Sequence, residues 1–216
     1  MSAPLPPHAG QTVVRRGRAL TEARAAVIMV HGRGASPQNI LELATAIPHA
    51  DVAYQAPGAS GGTWYPRSFM APTAQNEPGI TSGISVVHAL IDEVVAAGLT
   101  EERIILLGFS QGACLASTSV QRRPRRYGGV LVFSGGLIGP PGTPWSVGGD
   151  FAGTPIFLGC SDTDAHIPAP RVRESAAHLE RMGAEVTCRI YEGMGHLVND
   201  DEIAFARQLV ERVASG

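Results

Sequence analysis

The residues of this chain best suited to do chemistry are Gly108-Phe109-Ser110-Gln111-Gly112. Before them runs Ile104-Ile105-Leu106-Leu107, an apolar stretch of strand length, and residues 113–120 after them continue as a helix. A G-x-S-x-G pentapeptide between a strand and a helix is the context of a nucleophile elbow. The turn lifts the serine hydroxyl clear of the backbone, and the helix N-terminus behind it offers N–H groups and partial positive charge to an oxyanion. The same five residues also occur in ordinary Gly-rich turns with an idle serine; the flanking pattern favours the nucleophile.

A serine nucleophile needs a base and an acid. Both are found where strands are expected to end. Residues 155–160 read as a buried strand that runs into Ser161-Asp162-Thr163-Asp164, and residues 185–191 as a final strand followed by Glu192-Gly193-Met194-Gly195-His196. Ser110, the Asp162/Asp164 pair and His196 therefore follow one another in the order nucleophile, acid, base. Of the seven histidines, only His166 near the acid loop rivals His196, which alone follows the last strand.

The elements that must position these residues alternate in kind. Residues 25–30 and 129–134 are continuous apolar runs, the mark of strands buried on both faces of a parallel sheet. Strand readings also fall on 51–56, and an edge strand on 11–20 with its Arg15, Arg16 and Arg18. Helices are expected over 37–46, 80–97, 168–182 and 200–213. This is the pattern of an α/β, mostly parallel, doubly wound sheet in one domain over 1–216, with an irregular Pro-rich arm over about 1–10. Residues 137–153 are too short and too rich in Pro and Gly to build a cap domain. The segment 57–79 is long for a connection, which favours function, and carries Trp64, Tyr65 and Phe69. These three are candidate substrate-binding residues; their alternative use is as the packed core of the loop.

The chain resembles the phospholipase/carboxylesterase family of small α/β-hydrolases, which includes acyl-protein thioesterases. The matching pieces are Val30-His31-Gly32-Arg33-Gly34, Leu107-Gly108-Phe109-Ser110-Gln111-Gly112-Ala113, Asp164-Ala165-His166-Ile167-Pro168 and Tyr191-Glu192-Gly193-Met194-Gly195-His196. The resemblance implies Asp164 rather than Asp162 as the acid, the backbone N–H groups of Arg33 and Gln111 as the oxyanion hole, and a structural role for His31. Departures at Ala165, His166 and Cys160-Ser161 favour a general small-ester hydrolase over protein depalmitoylation. The expected activity is hydrolysis of short- to medium-chain carboxylic esters through an acyl-enzyme. Thioester or lysophospholipid hydrolysis, or a catalytically silent ligand-binding module, are the alternatives.

Composition sets the remaining bounds. The chain has 216 residues, 44% hydrophobic and 17% charged, with a formal net charge of -2. That composition belongs to an ordinary globular domain and gives no reason to expect nucleic acid as a partner. All 17 basic residues are arginine, so no lysine nucleophile or Schiff base is available. Cys114, Cys160 and Cys188 are far apart in sequence and read as buried free thiols. No cofactor and no metal is expected. The N-terminal residues do not read as a signal peptide, and no stretch reads as long enough to insert stably in a bilayer. The expectation is a cytoplasmic protein acting on a small-molecule ester, with a homodimer left open.

Overall fold

The computed structural model describes residues 6–216; the first half of the Pro-rich arm, residues 1–5, lies outside the described residues. Seven strands form one sheet in the order β1-β3-β2-β4-β5-β6-β7. They are β1 Val13–Gly17, β2 Ala25–Val30, β3 Val52–Pro57, β4 Ile104–Phe109, β5 Gly129–Phe133, β6 Pro155–Ser161 and β7 Glu185–Tyr191. All neighbouring pairs are parallel except β1 with β3, so the arginine-bearing strand is an antiparallel edge.

Alternate side chains of the central strands feed two cores, as expected of strands covered on both faces. Ile28, Leu106, Val132 and Leu158 face one core. Helices α3 Gly79–Ala96, α4 Gln111–Arg122 and α5 Ala169–Arg181 close it. Met29, Leu107, Leu131 and Phe157 face the other, under α1 Pro37–Leu41, α2 Leu43–Ala46 and α6 Asp200–Ser215. The helix expected over 37–46 is thus two short helices, broken at Glu42.

One expectation is corrected by α3. Its 18 residues, with a hydropathy of 1.4, make it long and apolar enough to cross a membrane by length and composition. Ile80, Ile84, Val87, Ile91 and Val94 are buried in the core instead, a stripe at helical spacing. Residues 137–153 form no helix or strand, so they build no cap domain over the C-terminal ends of β4–β6. The chemistry-bearing residues lie at that edge.

Candidate active site

Ser110 joins β4 to α4 with φ 56° and ψ −122°, a conformation that costs a non-glycine residue energy. Its backbone N–H donates to Phe133 O at 2.9 Å, and its carbonyl accepts Cys114 N–H at 3.1 Å. The two flanking glycines serve different contacts. A Cβ on Gly108 would lie 2.5 Å from Gly112 O and 2.6 Å from Ala113 Cα, so Gly108 lets strand and helix meet. A Cβ on Gly112 would lie 2.1 Å from Val30 O, so Gly112 lets the helix pass the end of β2 instead.

The His196 ring lies between Ser110 and Asp164. Its Nε2 is 2.8 Å from Ser110 Oγ and its Nδ1 is 2.7 Å from Asp164 Oδ2. An ionised carboxylate only accepts, so Nδ1 carries the proton and Nε2 is free to accept from the serine. The Asp164 side chain is 0% exposed. Burial acts to raise its pKa, but the His196 hydrogen bond and the N–H groups of His166 and Ile167 on Oδ1 outweigh burial and hold it low. Phe109 packs on the His196 ring at 4.9 Å, and His166 meets it edge-on at 4.8 Å. His166 is exposed and bonds neither Ser110 nor Asp164 through its ring.

Asp162 and Ser161 hold the histidine loop. Gly193 N–H donates to Asp162 Oδ1 at 2.8 Å, and Gly195 N–H to Ser161 Oγ at 3.0 Å. Ser161, one of the residues that depart from the family pattern, thus helps Asp162 to fix the loop that carries His196.

A cavity of about 500 Å³ opens over Ser110, lined among others by Arg33, Tyr65, Phe69, Gln111, His166 and His196. Among the described residues, the backbone N–H groups of Arg33 and Gln111 have no protein acceptor. Two free donors beside the nucleophile can receive the oxyanion of a tetrahedral intermediate. Cys114 also lines the cavity, but burial pushes its thiol up to about 12, so it stays neutral and does not compete as a nucleophile. Cys160 is buried too, whereas Cys188 is only half-buried, contrary to expectation. Among the described residues no His, Cys, Asp or Glu group is arranged to hold a metal.

The aromatic residues divide. Tyr65 and Phe69 line the cavity; Trp64 does not. Trp64 is 0% exposed, its indole N–H donates to His31 O at 2.9 Å, and its ring packs on those of His8 and His31. Its expected role as a substrate wall is therefore corrected: it is the core of the loop. Sequence reasoning also missed what pins this loop. Gln111 accepts from Trp64 N–H at 2.9 Å and donates to Tyr65 O at 2.8 Å. Buried Asn76 accepts from Arg67 N–H and donates to Ser68 O. His8, in the supposedly irregular arm, accepts from Ser60 N–H and bonds Trp64 O. His31 accepts Ala59 N–H at Nε2, which leaves its proton on Nδ1 for Gly32 O; burial lowers its pKa and keeps it neutral. Only their partners far along the chain reveal these roles.

Residues 11–213 match the family profile described as phospholipase/carboxylesterase. The chain belongs to that family. A solved phospholipase/carboxylesterase from Dyadobacter fermentans DSM 18053 is 37% identical and superposes with a TM-score of 0.89, covering 93% of this chain and 96% of that one. A probable carboxylesterase of Oryza sativa subsp. japonica is 30% identical over 147 residues, 68% of this chain and 63% of its own. An acyl-protein thioesterase 1 of Eremothecium gossypii is 32% identical over 152 residues, 65% of this chain and 62% of its own. The chain thus spans under two thirds of the length of these two curated relatives. All four of the pieces that carry the resemblance reach the cavity, through Arg33, through Ser110 and Gln111, through His166 and Ile167, and through His196.

Proposed function

We propose that this protein is a serine carboxylesterase that hydrolyses carboxylic esters through an acyl-enzyme. The observation that carries the reading is the unbroken chain Ser110 Oγ–His196–Asp164, with both hydrogen bonds at 2.7–2.8 Å. Ser110 Oγ attacks the ester carbonyl while His196 Nε2 takes its proton. The oxyanion is received by Arg33 N–H and Gln111 N–H. His196 then returns the proton to the leaving alkoxide, and water repeats the cycle to free the acid. Asp164 holds the imidazole in the needed tautomer and stabilises the imidazolium.

Short- to medium-chain esters fit the cavity best. Its apolar wall comes from Tyr65, Phe69, Phe109 and Ile167, and nothing in 137–153 extends it. Acyl-thioester hydrolysis is the second reading, favoured by the similarity to the Eremothecium gossypii protein named a thioesterase. A silent binding module is disfavoured, since a binder has no use for a base and an acid aligned on a strained serine. Three free cysteines agree with residence in the reducing cytoplasm.

The test is fluorophosphonate labelling together with hydrolysis of p-nitrophenyl butyrate and of a butyryl thioester. Labelling and ester turnover in the wild type, both lost in Ser110→Ala, are expected. A folded wild type that neither labels nor turns over any ester would overturn the reading, and a much faster thioester would replace it with the second.

A further inference from the structure

The charge lining the cavity is of one sign. Arg33 and Arg67 stand at its mouth, both exposed, and no aspartate or glutamate lines it. The protein as a whole carries a formal net charge of -2, so this is a local reversal. The Arg33 guanidinium is fixed: it donates to Pro66 O at 3.0 Å and to Arg67 O at 2.7 Å, and lies 6.0 Å from the Tyr65 ring centroid. Two of its five donors are thereby used, which leaves the rest for a ligand. Arg67 has its backbone N–H held by Asn76. Among the described residues, neither guanidinium has a carboxylate partner.

Sheet order says which part of a substrate meets these cations. Ser110 ends β4. The loops carrying Arg33 and Arg67 follow β2 and β3, on one side of it in the order β3-β2-β4-β5-β6-β7. His196 and His166 follow β7 and β6, on the other side. In the ester hydrolysis proposed above, on which this inference rests, His196 must protonate the leaving alkoxide, so the alcohol part lies on the β6/β7 side. The acyl part then runs over Tyr65 toward Arg33 and Arg67.

We infer that the preferred substrate is an ester whose acyl part ends in an anionic group, as in a half-ester of a short dicarboxylic acid. The far carboxylate would be received by Arg67 and by the free donors of Arg33, whose planar guanidinium matches a carboxylate geometrically. A phosphorus oxyanion presents the same chemistry, and the test separates the two.

The experiment compares kcat/KM for methyl butyrate, monomethyl succinate and methyl 3-phosphonopropionate, with the same methanol leaving group and matched acyl length. An exposed guanidinium–carboxylate contact predicts a preference of roughly fivefold for an anionic ester over the neutral one at low salt. It resides in KM, because the contact is equal in ground and transition states. It should shrink as salt is raised and fall severalfold in Arg67→Gln. Preference for either anion supports the inference, and the better one names the head group. A ratio at or below one, or a preference that neither salt nor Arg67→Gln moves, overturns it. Turnover of methyl butyrate without such preference overturns this inference alone; absence of any ester turnover and of fluorophosphonate labelling removes the esterase reading beneath it.

Discussion

Asp162 Oδ1 accepts the backbone N–H of Gly193 at 2.8 Å, while Asp164 Oδ2 meets His196 Nδ1 at 2.7 Å. Two carboxylates two residues apart thus grip the same distant loop, one by its backbone and one by its imidazole. Their substitutions should separate. Asp164→Asn presents an amide where the ring N–H needs an acceptor, which favours the wrong tautomer; a loss of roughly 10⁴ in kcat is expected with little change in melting temperature. Asp162→Ala removes the exposed bond from Gly193 N–H and a long one from the Ser161 hydroxyl, about 1 kcal/mol of stability, with a far smaller loss of rate. Rates and thermal melts on both proteins check this; the reverse pattern would make Asp162 the acid.

Ser110 and His196 should behave as one unit. Each alanine variant is expected to retain only the catalysis of binding and of the oxyanion donors, and the double variant to be little worse than either. Steady-state rates on the three purified proteins provide the check. Losses that multiply would mean that His196 does not act through Ser110.

The sheet and the site were legible in the sequence to different depths. Buried parallel strands such as Ala25–Val30 announce themselves as unbroken apolar runs, because both of their faces meet helices. Ser110 and His196 were legible because an elbow and a loop after the last strand each have a local signature. Residues defined by long-range partners were not. His8 looked like part of a loose arm, yet it is buried against Trp64, 56 residues away. Trp64 itself fell in a loop rich in Gly and Pro, where composition cannot distinguish a wall from a core.

That correction changes which aromatic should govern acyl preference. Trp64→Ala removes a side chain that is 0% exposed and a bond to His31 O, and should cost about 3–5 kcal/mol. The slope of kcat/KM against acyl length should survive in whatever remains folded. Phe69→Ala removes cavity wall instead. Each methylene covered by that wall contributes up to about 0.8 kcal/mol, just under fourfold in specificity, and the variant should flatten that rise. Rates over p-nitrophenyl acetate to octanoate, with urea melts alongside, distinguish the two. A flattened slope in Trp64→Ala with Phe69→Ala unchanged would restore Trp64 as the wall.

Glu202 gives a prediction on stability. It is 0% exposed; its Oε2 accepts Asn199 N–H at 3.0 Å as half of a capping box, while its Oε1 has no partner. Burial pushes its pKa up to about 7; the Asn199 N–H pulls the other way, and Asp201 adds to the rise. Below the ordinary glutamate value both folded and unfolded states are protonated, and the stability is fully present. As pH rises, the unfolded chain releases its proton first, so folding loses ground until pH passes about 7. The accumulated loss is about 3 kcal/mol. Asp164, held low, acts in the opposite sense and only in acid, where it stabilises above its unfolded value and ceases to as pH falls. Glu202→Gln keeps a carbonyl oxygen for the Asn199 N–H and has no proton to release. Urea unfolding at pH 5 and pH 7.5 should show the wild type losing stability across that interval and the variant losing markedly less. Parallel curves for the two proteins would mean that Glu202 is ionised in the folded protein well below pH 7.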